Sequence, residues 1–296
     1  MATDHGAVPV PAPERRVFAN RTLKMRGIKA IGYDMDYTLT QYKAEAFEEF
    51  AFSHARNRLA EIGWPVDDIS FDPAFTTRGL VIDRELGNLL KATRFGWVVR
   101  VMHGTRFLEH RAVREAYQGT HIDLSEDRYV FLNTLFSLSE ASLFTQGVEL
   151  LDAGKLPGGV GYRELFATVE TAINGVHRDG SLKKGVLSEP ERFIARDGDI
   201  VACLLDQKNA GKRLMLITNS EWSFTSEIMT YTFDTFLPSG DTWRGLFDTV
   251  IVSAAKPGFF TSSNPLYRVI DEDLGRLEPH FGSLESGGVF YGGNAR

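Results

Sequence analysis

The sequence predicts an α/β fold built on a mainly parallel sheet. Three short, apolar, β-prone runs carry this prediction: residues 28–34, 212–220 and 247–257. Each run ends in an abrupt change to polar residues, which is typical of a buried parallel strand with an exposed carboxyl end. A helix-like stretch precedes the second run, so helix, strand and loop follow one another after residue 197.

Residues 1–20 are rich in Ala, Pro and Val without periodicity and predict a flexible arm. The helical spacing of apolar residues over 45–62, stopped by Gly63 and Pro65, predicts a helix. We interpret three acidic residues of this helix as a solvated face: Glu45, Glu48 and Glu49.

The middle of the chain predicts a mixed α/β region. Residues 77–104 alternate in the manner of hairpins, whereas 128–151 and 162–176 have helical patterns. The next predicted helix, 198–211, ends at Gly211 as its C-cap. These patterns divide the chain into the arm, a core made from 21–60 and 196–296, and a cap inserted at 61–195.

Composition and charge exclude several kinds of partner, membrane segment and covalent cross-link. The 296 residues carry a formal net charge of −6 and a pI near 5.7, which argues against a nucleic acid polymer or an anionic membrane as partner. No apolar run approaches the roughly 18 residues needed to span a bilayer. Asp4 and three prolines interrupt the N-terminal region, so we expect no secretory signal and a cytoplasmic location. The single cysteine, Cys203, excludes an intrachain disulfide and is expected in the core.

Polar residues of a matching kind follow the three predicted strands. Asp34 and Asp36 follow the first strand, the run 218–220 follows the second, and Lys256 follows the third. Because the carboxyl ends of parallel strands lie at one edge of a sheet, these residues are expected to line a ligand-binding crevice.

The residue types in this pattern suit phosphoryl transfer. Two carboxylates two positions apart repel each other unless a cation lies between them, and Mg²⁺ binds one or two carboxylates together with phosphate oxygens. One carboxylate can attack phosphorus to form an aspartyl phosphate while the other acts as general acid and then base. A hydroxyl, an amide and an ammonium group can surround the transferring phosphoryl oxygens.

The motifs DMDYTL, TNS and Lys-Pro, in this order at the strand ends, resemble those of the haloacid dehalogenase superfamily of aspartate-nucleophile phosphatases. Longer strings resemble the cytosolic purine 5'-nucleotidase family, among them IGYDMDYTLTQYK, TRGLVID, FLNTLF, VHRDGSLK, TNSEW and GGVFYGGN. The resemblance extends from about residue 28 to the last residue. It implies a Rossmann-like core with a mixed α/β cap, and Mg²⁺-dependent hydrolysis of a nucleoside 5'-monophosphate.

The resemblance also implies a role for each matching residue. Asp34 would be the nucleophile and Asp36 the general acid and base, and both would bind Mg²⁺. Lys256 would neutralise the phosphoryl oxygens and the nucleophile. Five further residues would contact the substrate: Thr218, Asn219 and Ser220 at the phosphate, Lys183 at the phosphate from the cap, and His177 at the base. Relatives form dimers or tetramers, which implies a homo-oligomer.

The match departs from the family pattern at two places. Glu170 and Asn174 stand where purine-preferring relatives have an arginine and an aspartate, which leaves the preferred base open. The family's last acidic motif, which completes its Mg²⁺ site, does not occur after Lys256, so the chain is expected to stop before that motif. The only acidic cluster there is predicted to lie on a surface hairpin: Asp271, Glu272 and Asp273.

Two alternatives to a nucleotidase therefore remain open at the level of sequence. One is a phosphatase of the same kind that acts on another small phosphate ester. The other is a non-catalytic binding module that lacks the last metal-binding aspartates.

Overall fold

A computed structural model of the chain describes residues 24–284 and 286–295, so the predicted arm at 1–20 lies outside the described residues. The strands are β1 (Ala30–Tyr33), β2 (Gln41–Tyr42), β3 (Val81–Asp83), β4 (Asn88–Ala92), β5 (Val98–His103), β6 (Arg106–Phe107), β7 (Tyr129–Phe131), β8 (Ile194–Ala195), β9 (Arg213–Ile217), β10 (Thr249–Val252), β11 (Leu266–Asp271), β12 (Arg276–Pro279) and β13 (Gly288–Gly292). The helices are α1 (Ala44–Glu61), α2 (His110–Tyr117), α3 (Leu138–Asp152), α4 (Tyr162–Arg178), α5 (Ser181–Ser188), α6 (Pro190–Phe193), α7 (Gly198–Asn209) and α8 (Trp222–Phe233).

A six-stranded sheet with the order β1-β9-β10-β13-β11-β12 forms the larger β layer. Its first four strands are parallel, and β11 runs antiparallel to both of its neighbours. All four residues of β10 are buried, as expected of an apolar strand covered on both faces. The sheet confirms the predicted α/β class and the three predicted parallel strands.

The hairpin β11–β12 at the far edge of this sheet confirms the position predicted for the acidic cluster. The two strands are antiparallel, and Asp271 pairs with Arg276 across the turn. The Asp271 carboxylate accepts the backbone N–H groups of Asp273 and Leu274. Asp271 therefore shapes the turn that carries the other two acidic residues, at the sheet edge away from β1.

A second sheet, entirely antiparallel, has the order β6-β5-β4-β3-β7. The antiparallel pairs β3–β4 and β4–β5 of this sheet confirm the hairpins predicted over 77–104. The interpretation of 128–151 as one helix is wrong at its start, because residues 129–131 form β7 and α3 begins only at Leu138. The pairing of β7 with β3 satisfies the backbone of this apolar segment in a way that local periodicity does not reveal.

Strands β2 and β8 pair with each other. The part of the chain between them, residues 43–193, is called the inserted segment below, because it separates β1 from β9 of the main sheet. Helix α1, which follows β2, packs against α3 and α4 of that segment. One continuous hydrophobic cluster runs from the main sheet into these helices. The division into core and cap, with the boundaries given above, stays a prediction.

The expectation of a buried Cys203 is wrong. Helix α7 buries Val201 and Leu204, which lie on one face, whereas Cys203 lies on the exposed side and contacts the side chain of Gln207. An apolar stretch in a helix buries only one face, so the apolar character of the stretch does not place each of its residues in the core. Among the described residues, no helix combines the length and the apolar character needed to cross a membrane.

Candidate functional site

Three neighbouring parallel strands bring the predicted site residues to one edge of the main sheet. Asp34 follows β1, Thr218 follows β9, and Lys256 lies in the loop after β10. Lys256 Nζ lies 2.7 Å from Asp34 Oδ1 and donates to the carbonyl of Ile217 at 2.6 Å. The side chain of Asp34 is 45% exposed and that of Lys256 17%. The edge thus holds an ammonium group beside a carboxylate that a ligand can reach.

A tight turn after β1 sets the directions of the two carboxylates. The carbonyl of Met35 accepts the backbone N–H groups of residues 38–40, and Tyr37 has a φ of 55°. Asp34 lines an open cavity of about 630 Å³ together with Lys256. Asp36 instead lines a small cavity of about 90 Å³ on the side of the inserted segment. The two aspartates therefore lie at one sheet edge, and each lines one of two cavities there.

Asp36 is held by two hydroxyl groups. Tyr42 donates to Asp36 Oδ1 at 2.7 Å, and Ser220 donates to Asp36 Oδ2 at 3.1 Å. Burial is the main influence and raises the pKa of Asp36, the negative charge of Asp34 adds to this, and the two hydroxyl groups and Lys183 act in the opposite direction. Asp36 consequently retains a proton more readily than an exposed aspartate does.

The turn at 218–220 braces the loop that carries Lys256. Thr218 is fully buried and its Oγ1 accepts the backbone N–H of Ser220 at 3.0 Å. Asn219 accepts the backbone N–H of Lys256 at 2.7 Å and donates to the Lys256 carbonyl at 3.0 Å. Ser253 and Ala255 in the same loop have φ values of 48° and 57°. The Thr218 and Asn219 side chains thus hold the loop, and Ser220 contacts Asp36.

The inserted segment contributes Lys183 and His177, which both line the 90 Å³ cavity with Asp36 and Ser220. Lys183 forms an ion pair with Glu221 and lies 5.2 Å from the ring centre of Phe224. Burial, with a contribution from the Lys183 charge, lowers the pKa of His177, which favours the neutral ring. All eight residues proposed from the sequence lie at this sheet edge or around the adjoining cavity: Asp34, Asp36, Thr218, Asn219, Ser220, Lys256, Lys183 and His177.

Three residues of the site were not predicted from sequence. Tyr42 binds Asp36, Glu221 pairs with Lys183, and the ring of Phe136 meets that of His177 edge-on with 5.8 Å between centroids. The position of Glu221, directly after the strand-end turn, is a signal that could have pointed to it. Nothing local distinguishes Tyr42 or Phe136 from the other aromatic residues of the chain.

The oxygen atoms at the sheet edge could provide some of the ligands that Mg²⁺ needs. Within the described ranges, no group of three or more His, Cys, Asp or Glu side chains is arranged to hold a metal ion. Asp34 Oδ1 is used by Lys256 and by the N–H of Met35, while Oδ2 has no hydrogen-bond partner among the described residues. Mg²⁺ usually takes only one or two carboxylates and completes its shell with waters and phosphate oxygens. An aspartate with one free, solvent-accessible oxygen fits that role.

The carboxyl group of Glu48 joins α1 to the start of α3. Its predicted place on a solvated face is wrong, because Glu48 is only 1% exposed. Glu48 Oε2 accepts the backbone N–H of Ser139 at 3.0 Å, and Oε1 has no partner in the described part of the chain. Helices α3 and α4 pack against α1, and the amino end of α3 offers Glu48 the N–H group and a favourable dipole.

We expect Glu48 to make the stability of the fold depend on pH. Burial raises the pKa of Glu48 to about 7, while the hydrogen bond from the Ser139 backbone lowers it. A raised pKa means that the folded state binds more protons, so the free energy of unfolding falls as pH rises from about 4.5 to about 7. By the conversion of about 1.4 kcal/mol per pKa unit, this contribution is about 3 kcal/mol.

Urea unfolding of the wild type and of Glu48→Gln at pH 5 and pH 8 measures this effect. The glutamine keeps an acceptor for Ser139 but does not ionise, so its loss of stability between the two pH values should be smaller. The Glu45→Gln variant, which changes an exposed residue of the same helix, is the control. An identical pH dependence in all three proteins would contradict the prediction.

Comparison with known proteins adds to this geometry. A sequence model described as the 5' nucleotidase family matches residues 17–296. The human 5'-nucleotidase domain-containing protein 2 is 32% identical over 292 residues, which cover 94% of this chain and 54% of the relative. The protein of the same name from Rattus norvegicus is 31% identical over 294 residues, covering 94% and 51%. The chain thus spans about half the length of these relatives.

Proposed function

Because this chain belongs to the 5'-nucleotidase family, we propose that it is an enzyme that hydrolyses nucleoside 5'-monophosphates to nucleosides and phosphate. We further propose that it favours purine nucleotides of the IMP and GMP type and uses the aspartyl-phosphate chemistry of the haloacid dehalogenase superfamily. The contact between Lys256 and Asp34 at the carboxyl edge of the sheet is the observation that carries this proposal.

Asp34 is the proposed nucleophile because it combines exposure with a fixed cation. One carboxylate oxygen of Asp34 attacks phosphorus, and the bond between phosphorus and O5' of the nucleotide breaks. Lys256 Nζ, held by the Ile217 carbonyl, stabilises negative charge on the attacking carboxylate and on the phosphoryl oxygens. The ammonium group is held in place before the substrate arrives, so little reorganisation is needed at the moment of reaction.

Asp36 is the proposed general acid and base. In the first step its carboxyl group transfers a proton to O5', and the nucleoside leaves. In the second step a water molecule attacks phosphorus, the Asp36 carboxylate takes the proton from that water, and the bond from phosphorus to Asp34 breaks. The raised pKa of Asp36 supports the first of these roles, and the hydroxyl groups of Tyr42 and Ser220 orient its carboxyl group for both.

Mg²⁺ is the proposed cofactor. The carboxylate of Asp34 and the backbone carbonyl of Asp36 would hold it. When bound, it would supply positive charge to the phosphoryl oxygens and relieve the repulsion between the two aspartates.

The phosphate and nucleoside contacts are proposed from the same geometry. Four residues would contact the phosphate: Thr218, Asn219 and Ser220 at the strand end, and Lys183 from the inserted segment. Ser220 and Lys183 both line the 90 Å³ cavity, and Thr218 and Asn219 also keep the strand-end turn and the Lys256 loop in position. His177 would contact the base. Its pairing with Phe136 gives a ring edge against which a flat base can lie.

Hydrolysis of a substrate panel with and without Mg²⁺ tests the proposed function. We expect release of phosphate from purine nucleoside 5'-monophosphates, less from pyrimidine nucleotides, little from sugar phosphates, and none with excess EDTA. Glu170 and Asn174 favour the second candidate, a phosphatase for another small phosphate ester, and preference for a sugar phosphate would establish it. Absence of hydrolysis of every compound in the panel would instead indicate a binding module.

A further inference from the structure

A cavity of about 310 Å³ continues the site away from the sheet edge. It shares the ring pair of Phe136 and His177 with the small cavity that holds Asp36. Its remaining lining residues are Ser137, Glu140, Ile173 and Asn174. This volume lies in the range of pockets that bind small ligands. A nucleotide with its phosphate at the sheet edge can therefore extend its base past the two rings and into this cavity.

Glu140 is the acidic group of this cavity. It is partly buried, and its carboxyl group makes no hydrogen bond or ion pair with any residue that the structure describes. Burial is the main influence and raises the pKa of Glu140 to about 7, and the negative charge of Glu170 on α4 adds to this. A partly desolvated carboxylate without a donor is unfavourable in the free protein. A ligand that brings N–H groups to it removes that cost.

The carboxylate selects among purine bases by the donors they present. It has two acceptor oxygens and no donor when ionised. Guanine carries an N1–H group and a 2-amino group side by side, so it can donate to both oxygens. Hypoxanthine has only the first of these donors, and adenine presents an unprotonated N1 that would face the carboxylate. An acceptor-only group therefore suits guanine best among the three.

We propose that Glu140 is a specificity-determining residue that accepts the N1–H and 2-amino groups of guanine, so that the protein binds GMP in preference to IMP and AMP. This inference rests on the proposed function and names the substrate within its class. One additional hydrogen bond to a charged group corresponds to roughly a 10-fold or greater difference in affinity between GMP and IMP. The difference between GMP and AMP should be larger, because adenine also brings a lone pair to the carboxylate.

Calorimetric binding of GMP, IMP and AMP to the Asp34→Asn protein tests the inference without relying on turnover. Titrations at pH 8 keep Glu140 ionised, since its pKa is about 7. We expect GMP to bind most tightly. Adding Glu140→Gln should bring the GMP and IMP dissociation constants to within about threefold of each other, because the amide offers one acceptor and one donor in place of two acceptors.

Glu61→Gln in the same background is the matched control. Glu61 is exposed at the end of α1 and has no hydrogen bond or ion pair among the described residues, so this change removes one charge and should leave the GMP preference unaltered. Equal affinity for GMP and IMP, no binding of GMP, or an unchanged preference in the Glu140→Gln protein would overturn the inference.

The two proposals fail in distinguishable ways. Preferential GMP binding without hydrolysis of any nucleotide by the wild-type protein would disprove the proposed function and support the role of Glu140. Hydrolysis of purine nucleotides together with equal affinity for GMP and IMP would support the proposed function and disprove the role of Glu140.

Discussion

Replacement of Asp34 by asparagine should reduce turnover of a purine nucleoside 5'-monophosphate by roughly 10⁴-fold or more, the scale on which loss of a catalytic nucleophile acts. An amide cannot displace the nucleotide O5' from phosphorus under the conditions in which a carboxylate does. The amide oxygen would still accept from Lys256 and from the N–H of Met35, so the turn after β1 should keep its conformation. Phosphate release with Mg²⁺ present, at saturating nucleotide, is the measurement.

Two further measurements make this result specific to the nucleophile. Incubation of the wild type with substrate followed by rapid acid quenching should trap phosphate on the protein, and Asp34→Asn should trap none. Asp67→Asn, a change of an exposed aspartate, should retain wild-type turnover and trapping. If Asp34→Asn hydrolysed nucleotide at the wild-type rate, the assignment of the nucleophile would be wrong.

Replacement of Asp36 by asparagine should reduce nucleotide turnover by roughly 10²- to 10⁴-fold, the usual contribution of a positioned general acid or base. The nucleoside O5' is a poor leaving group without a proton, and Asp36 is the buried carboxyl group whose raised pKa lets it supply one. The amide that replaces the carboxyl group could still bond to the hydroxyl groups of Tyr42 and Ser220. The loss should therefore reflect proton transfer rather than a rearranged turn.

A substrate with a good leaving group separates the two roles of Asp36. With p-nitrophenyl phosphate the first step needs little help from an acid, but hydrolysis of the aspartyl phosphate still needs a base. The Asp36→Asn protein should therefore release a burst of one equivalent of p-nitrophenol and then turn over slowly. A loss of equal size for the nucleotide and for p-nitrophenyl phosphate, with no burst, would contradict a general-acid role.

The strand ends were predictable because their signals are local. A short apolar run followed by a polar residue marks a buried parallel strand, and parallel strands place their carboxyl ends at one edge whatever the order of the sheet. Asp34 and Lys256 lie far apart in the chain, yet each could be assigned from its own neighbours. Their contact at 2.7 Å follows from the adjacency of three parallel strands.

The incorrect predictions from sequence share one cause, which is that they depended on contacts with distant parts of the chain. Glu48 has the local pattern of a solvated residue, but α3 approaches it from a distant part of the sequence and supplies a backbone donor. Residues 129–131 have the periodicity of a helix start, but they pair with the edge of β3 and form a strand. Cys203 lies in an apolar stretch of α7, and the elements that pack against α7, among them β9, determine which face of the helix is buried. In each case the deciding partner is remote in sequence, so no local pattern records it.

The sequence by itself determined the α/β class, the three strand ends and the identity of the acidic and basic residues there, since periodicity and residue chemistry are properties of short segments. Only the tertiary structure decided that Tyr42 and Ser220 hold Asp36, that Lys183 pairs with Glu221, and that Glu140 lines a cavity continuous with the His177 ring. Most of these contacts join segments that are distant in the chain. Their geometry exists only once sheet and helices have packed, because burial and pairing are set by neighbours in space.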